Sequence, residues 1–199
     1  MDDKRTGTRD RLLRAGEGLF RTQGYSGTGL KELAQTARAP WGSMYHFFPR
    51  GKEQLGEEVV AYAGEIYLGA WQAAFRRGGD PGVAIERVFL AEARLLAGSD
   101  YRDGCPIASV TLDVASVSEP LRAACASGFE VWLDAIAQGL IAAGAPADDA
   151  KALAGFILSA MEGAIVLSRA AKDTAPLLQS ARFVRQAIER EAAGWLPPS

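Results

Sequence analysis

The chain has 199 residues, with 22 Lys and Arg against 24 Asp and Glu, one His and two Cys. Its 48% apolar content argues against intrinsic disorder, and the longest run without a charged residue, 135–147, is shorter than the roughly 18–20 residues that span a bilayer. A single His and two Cys exclude most zinc enzymes, His-based catalytic machinery and a disulfide-stapled fold.

Apolar residues recur at helical spacing along the chain, and no Asn-Gly or Asp-Gly hairpin signal appears. Thr8 and Thr28 are expected to cap the first two helices, and Gly24 is expected to end the first. The sequence therefore predicts an all-α fold of about nine helices, over 8–24, 28–37, 40–47, 52–77, 82–96, 106–115, 118–143, 146–171 and 176–193.

The charge is unevenly distributed. Residues 1–52 carry a net charge of +5, and the remainder carries −7. A basic segment attached to an acidic body suits a nucleic-acid reader, because contact with phosphates is electrostatic. A basic helix face that is only exposed to solvent would give the same net charge. Charge alone therefore does not decide between a nucleic-acid-binding segment and a solvated surface.

Residues 28–48 form two short predicted helices joined by a tight turn, the layout of a helix-turn-helix unit whose second helix enters the major groove. Thr28, at a helix start, offers a hydroxyl and backbone N–H groups to a phosphate. Arg38, Trp41 and His46 are candidates for base edges. The other candidate DNA-binding residues are Gly42, which allows close backbone approach, the phosphate-binding types Ser43, Tyr45 and Lys52, and the basic Lys31.

The segment Leu33–Leu55 resembles the DNA-binding domain of TetR-family transcriptional regulators, which share Gly-Ser/Thr-Leu-Tyr-x-x-Phe followed by Lys-Glu. The run Phe48–Leu55 and the later Gly104-Cys105-Pro106 look like the LmrA/YxaF-type branch. Detailed resemblance covers about residues 8–60.

Two positions depart from the family pattern. Arg38 stands where the family usually has Gly in the turn, and Trp41 stands where a small residue, Lys or Arg is common. Base preferences therefore cannot be carried over from the family.

The resemblance implies a homodimer with a DNA-binding domain over 1–51 and an effector-binding and dimerisation domain over 52–199, and we expect a cytoplasmic location. It implies a repressor that leaves a palindromic or near-palindromic double-stranded operator when a small, apolar or aromatic effector binds. The last two long helices would form the dimer interface, and the small residues Gly155 and Gly163 allow close helix approach. The polar start, without an apolar signal region, favours the same location.

Large apolar residues of the body, with polar neighbours such as Asp113, are the candidates for the effector pocket. Ordinary core packing is the alternative reading for each of them. The candidate effector-binding residues are Trp71, Phe75, Phe89, Arg94, Cys105, Phe129, Trp132, Met161 and Glu162.

Other functional classes remain as alternatives. Cys105 and Cys125 read as small buried hydrophobes, or as thiols of a redox-gated regulator with Arg102 and Arg122 nearby. A small all-α ligand-binding protein or enzyme is the further alternative. The sequence offers no catalytic residues, no metal ligands and no cofactor-binding motif, so we expect no enzymatic activity, metal or cofactor.

Overall fold

The computed structural model describes residues 7–195, and every regular element within that range is a helix. The nine helices of the described range agree with the predicted number, and their bounds are α1 Thr8–Gly27, α2 Leu30–Thr36, α3 Trp41–Phe47, α4 Lys52–Arg76, α5 Pro81–Gly98, α6 Pro106–Val114, α7 Glu119–Ala142, α8 Ala147–Ala171 and α9 Ala175–Ala192. The predicted all-α fold class is confirmed.

The chain divides into two compact units. One comprises the chain up to Glu65 together with Cys105–Phe129, and the other comprises Ile66–Gly104 with the chain from Glu130 onward. Helices α4 and α7 contribute residues to both units. The functional division after residue 51 concerns what each part does, and it stays a prediction.

The N-caps of the first two helices differ from the prediction. Gly7, rather than Thr8, is the N-cap of α1, and no side chain caps that helix. Thr28 is only 2% exposed and its hydroxyl donates to the Gly24 carbonyl, so the N-cap of α2 falls on Gly29. Both capping predictions are wrong, because the threonine hydroxyls find other partners; that of Thr8 accepts from the Arg11 guanidinium.

Gly24 interrupts α1 as predicted, but the chain then makes one more turn to Gly27. Its φ of 77° and ψ of 173° lie outside the helical region and favour glycine. The α1–α2 junction, defined here as residues 24–29, is therefore a kink, a single turn and a tight connection to α2.

The first unit is held by apolar residues of α1 that pack against α2 and α4. Gly16 on α1 lies so close to Val59 that a Cβ at Gly16 would be 2.5 Å from the Val59 Cγ2. This close approach of the two helices packs α4 against α1. Fully buried side chains of this core include Leu12, Phe20, Leu33, Phe48, Leu55 and Val59.

The second unit packs α5 against α8 and α9. The apolar stripe of α9 is buried. Arg185 of the same helix donates to Glu86 of α5 at 2.8 Å and to Glu189 at 2.7 Å. Asp80 caps α5 by accepting a hydrogen bond from the Val83 N–H at 2.8 Å. The buried stripe of α9 is Leu177, Ala181, Val184 and Ile188.

One helix of the described range, α8, is long and apolar enough to cross a membrane by length and composition alone. Its buried face, from Ala150 to Ser168, packs in the core of the second unit. Such a helix is weak evidence for a membrane span, since core helices of soluble proteins pass the same test.

Candidate nucleic-acid interface

The turn between α2 and α3 is made by Arg38 in a left-handed conformation, with φ of 49°. The N–H of Arg38 donates to the Gln35 carbonyl, and the N–H of Ala39 donates to the Ala34 carbonyl, which closes the end of α2. A residue with a Cβ is disfavoured at this φ, so the substitution of Arg for the family's usual Gly leaves local strain in the turn.

Helix α3 has an anchored face and a free face. Met44 on α3 and Phe48 directly after it are buried, whereas Trp41 and Tyr45, one turn apart, are 50% and 53% exposed. The Trp41 and Tyr45 rings meet edge to face with centroids 5.9 Å apart. Exposed large aromatics at this spacing form a contact surface, and their mutual packing limits the rotamers that each can adopt.

A cleft of about 380 Å³ lies beside the start of α3. Its lining includes the predicted Lys31 and Trp41, and also Gln35, which was not among the predicted residues. Gln35 stands four residues after Lys31 on α2, so the two share a helix face. That spacing was the available signal, and it identifies Gln35 as a further exposed polar group at this surface.

Lys52, at the start of α4, is partly enclosed. Its Nζ lies 4.3 Å from the centre of the Tyr25 ring, a cation–π arrangement. Burial lowers the pKa of Lys52, and the nearby Asp113 carboxylate opposes that shift. Burial also raises the pKa of the Tyr25 phenol, with Glu53 adding to the effect.

Carboxylates of α4 pair with some of the basic residues of the N-terminal segment. Arg50 donates to both carboxylate oxygens of Glu57, at 3.1 and 3.0 Å, and Arg9 pairs with Glu58. The pairing with Glu57 raises the pKa of Arg50. Part of the local positive charge is therefore matched within the unit, and the net charge of the segment overstates what a phosphate backbone would meet.

The structure places most of the predicted DNA-binding residues on the α2–α3 surface. Ser43 and Lys52 are partly exposed, and the hydroxyl of the buried Thr28 is committed to Gly24, which corrects the predicted phosphate contact from that side chain. The exposed members are Lys31, Arg38, Trp41, Gly42, Tyr45 and His46.

The predicted effector residues of the second unit fall into different environments. Phe75 lines a cavity of about 350 Å³ together with seven residues outside the predicted set, Gly139 among them. Arg94 is exposed and Glu162 is partly exposed. The remaining members in this unit are buried: Trp71, Phe89, Trp132 and Met161.

The predicted residues of the first unit have other partners. Asp113 accepts a hydrogen bond from the Ser26 N–H at 2.9 Å, so it is not a free polar group of a pocket. Phe129 is partly exposed, and Cys105 is the N-cap of α6, where its sulfur accepts from the Ala108 N–H at 3.4 Å. Cys125 is buried, and burial raises the pKa of its thiol.

Comparison with known proteins agrees with this arrangement. Residues 12–59 match the family described as bacterial regulatory proteins, tetR family, and residues 81–183 match the LmrA/YxaF-like C-terminal domain of transcriptional regulators. The chain is 34% identical to the HTH-type transcriptional regulator YxaF of Bacillus subtilis, with 92% of this chain and 96% of that protein covered.

It is 30% identical to the HTH-type transcriptional regulator LmrA of Bacillus subtilis, with 92% of this chain and 97% of that protein covered. A TetR transcriptional regulator from Legionella pneumophila has the same fold at a TM-score of 0.80, with 22% identity and coverage of 92% of this chain and 98% of that one. The chain therefore belongs to the TetR family of transcriptional regulators, and within it to the group with an LmrA/YxaF-like C-terminal domain.

Proposed function

We propose that the chain is a homodimeric repressor whose α3 enters the major groove of a palindromic or near-palindromic operator, and that a small molecule bound in the body releases it. The observation that carries this proposal is the two-faced α3, anchored by Met44 and presenting Trp41 and Tyr45 to solvent. The reading head corresponds to residues 1–51, and residues 52–199 provide effector binding and dimerisation.

In this proposal some exposed side chains contact the DNA bases and others contact the phosphate backbone of the DNA. Trp41 contacts a thymine methyl, and His46 and Arg38 reach base edges, while Tyr45, Ser43 and Lys52 contact phosphate oxygens. Gly42 has open space where a Cβ would stand, which lets the α3 backbone approach the duplex. Lys31, on the cleft beside Trp41, adds a cation at the same surface.

Dimerisation is assigned to α8 and α9, because α8 carries a second stripe on the side opposite its core. The exposed positions of this face recur at steps of three or four residues, at 152, 156, 159, 163 and 166, and a Cβ added at Gly163 would meet nothing within 4 Å. An apolar stripe on an exposed face marks an interface, and a partner's α8 and α9 would complete a four-helix bundle. Its exposed apolar residues are Phe156, Val166 and Leu167 on α8, with Leu178 and Phe183 on α9.

The cavity beside Phe75 is the candidate effector site. It lies within the second unit and is lined by glycine, alanine, proline and one aromatic ring, with no charged side chain. A cavity of about 350 Å³ with such walls suits an uncharged apolar or aromatic molecule of modest size. The full lining is Phe75, Gly78, Gly79, Pro81, Ala84, Gly139, Ala142 and Ala143.

The redox alternative has less support from the geometry. A thiol switch needs an accessible thiolate, whereas Cys125 is buried with a raised pKa. Cys105 is the better placed of the two, because its sulfur stands at the start of a helix, yet it is also buried. The members of this family are soluble regulators, and we propose a cytoplasmic location.

Selection of bound fragments from the source genome with purified protein tests the proposal. We expect enrichment of sites with twofold symmetry and half-sites about 34–36 Å apart or at a multiple set by paired dimers. Repeating the selection with Trp41→Ala or His46→Ala should change the preferred bases, whereas Tyr45→Phe should lower affinity about uniformly across sequences. Recovery of no fragment above random competitor at low ionic strength would contradict the proposal.

A further inference from the structure

We propose that Asp113 of α6 is a positioning residue for the DNA-reading helices, because its carboxylate fixes the α1–α2 junction from which α2 and α3 extend. This inference rests on the proposed role of α3 in reading DNA. Asp113 is 87 residues away in sequence from its partner Ser26. It also lies within the stretch 81–183 that matches the C-terminal domain, outside the matched DNA-binding segment 12–59.

The junction needs a hydrogen-bond acceptor from elsewhere in the chain. Gly24 leaves the helical conformation, so the turn after it begins a new helical segment, and the first N–H groups of such a segment have no acceptor within it. The Oδ2 of Asp113 takes the Ser26 N–H at 2.9 Å, as an N-cap side chain would, but from a different helix. A charge-assisted bond of this kind is stronger than one between neutral groups.

The fit between the carboxylate and the kink is close. A Cβ added at Gly24 would lie 2.7 Å from the Asp113 Oδ2, so a larger residue at this position would displace the carboxylate. The kink at Gly24 therefore lies directly against the Asp113 carboxylate that accepts from Ser26. Helices α1 and α6 also pack together extensively, which holds the carboxylate in register with the junction.

The junction leads directly into the reading helices. The Thr28 hydroxyl donates to the Gly24 carbonyl at 2.7 Å, and the Thr28 N–H donates to the Tyr25 carbonyl at 3.1 Å. The next residue, Gly29, is the N-cap of α2. Without the Asp113 contact the turn at residues 25–27 loses its external acceptor, and the start of α2 loses part of its support.

The charge of Asp113 also acts on Lys52, which lies beside the same junction. Its carboxylate favours the protonated form of Lys52, whose ammonium covers the Tyr25 ring within the junction. One α6 side chain thus holds the end of α1 by a hydrogen bond and attracts the first residue of α4. These contacts tie α6 to the α1–α2 junction within the first unit.

The test compares Asp113→Ala, Asp113→Asn and Asp113→Glu in the full chain, with Glu119→Ala as a control. Glu119 is an exposed carboxylate of the same unit that pairs with Arg122. The measurements are affinity for the operator recovered by the wild-type protein, affinity for a random duplex of equal length, and hydrogen exchange of the Ser26 amide.

We expect Asp113→Ala to weaken operator binding about 5–10-fold, to leave random-duplex binding unchanged or tighter, and to speed exchange at Ser26. Asp113→Asn retains an oxygen that accepts from Ser26 but loses the charge, so its affinity should lie between those of wild type and Asp113→Ala. Asp113→Glu keeps the charge but displaces the oxygen, so it should weaken operator binding. Because Asp113 is exposed, the longer side chain should not unfold the protein. Glu119→Ala should match wild type in all three measurements.

Several outcomes would overturn the inference. If Asp113 were only a repulsive charge near DNA, Asp113→Ala and Asp113→Asn would both tighten binding, and Asp113→Glu would change nothing. Faster Ser26 exchange with unchanged operator affinity would separate the junction from DNA reading and reject the positioning role. A wild-type protein that selects no operator would reject the proposed function itself, which the unmodified chain alone reveals.

Discussion

The ammonium group of Lys52 lies over the ring of Tyr25, with Nζ 4.3 Å from the ring centre. Lys52 therefore packs against the end of α1 and also presents a cation at the start of α4. Desolvation lowers the pKa of Lys52, and the Asp113 carboxylate opposes that shift. Lys52 can act in both packing and phosphate contact.

Lys52→Ala should weaken DNA binding about equally for all sequences and reduce the slope of log affinity against log salt by about 1, since one phosphate contact is lost. Titrations at several salt concentrations measure both quantities. Lys172→Ala, which removes an exposed cation paired with Asp100 in the second unit, is the control. A loss of affinity with an unchanged salt slope would assign Lys52 a packing role alone.

Arg38→Gly should raise stability and lower DNA affinity. Glycine adopts the φ of 49° that Arg38 has without steric cost, so we expect the free energy of unfolding to rise by about 1 kcal/mol. Loss of the guanidinium should reduce operator affinity if the residue contacts DNA as proposed. Ala39→Gly, at the neighbouring position without a positive φ, should instead lose about 0.5–1 kcal/mol.

Urea denaturation at fixed protein concentration gives both stability changes, and the fixed concentration matters because a dimer's stability depends on it. Equal destabilisation by Arg38→Gly and Ala39→Gly would show that the left-handed turn carries no recoverable strain.

The helices could be predicted from sequence because each carries a core stripe of its own at helical spacing, as Leu177 and Val184 do on α9. The caps could not be predicted in the same way. The Thr28 hydroxyl can bond either to a helix N–H or to the Gly24 carbonyl, and only the folded structure determines which partner is within reach. Asp113 was misjudged for a similar reason: its partner at Ser26 is distant in sequence. The cleft residue Gln35 was missed because exposure on a short helix depends on what packs beside it.

The glycines of α4 provide a matched comparison. A Cβ at Gly56 would lie 2.8 Å from both the Leu121 Cδ2 and the Tyr25 Cε2, whereas a Cβ at Gly69 would meet nothing within 4 Å. Gly56→Ala should therefore cost about 1–3 kcal/mol through overpacking. Gly69→Ala should gain about 0.5–1 kcal/mol, because alanine loses less conformational entropy in a helix. Chemical denaturation of both variants checks the pair, and two changes of the same sign would reject the predicted close approach at Gly56.

The raised pKa of Cys125 gives a pH dependence with a definite sign. The folded chain keeps the thiol proton to higher pH than the unfolded chain, so this group's contribution to stability falls as pH rises above about 8.5. In a Cys105→Ser background, alkylation of folded Cys125 by iodoacetamide should be slow at pH 8.5 and fast in urea. Rapid alkylation of the folded protein at that pH would restore Cys125 as a redox-switch candidate.

The exposed stripe of α8 and α9 predicts how the chain associates. Leu167→Glu combined with Phe183→Glu places two charges on this surface, so a dimer built on it should dissociate to monomers. Operator affinity should then fall by a factor of about 10²–10⁴, since two linked reading heads bind far more tightly than one. Sedimentation velocity gives the association state, and the operator titration gives the affinity.

Leu112→Glu is the matched control, because Leu112 is 80% exposed but lies on α6 in the other unit. It should leave the dimer intact, which separates an effect of the α8–α9 stripe from a general effect of replacing a surface leucine by a charge. A double variant that stays dimeric would move the interface elsewhere on the chain. A double variant that is monomeric yet binds the operator as tightly as wild type would contradict the coupling of dimerisation to DNA binding.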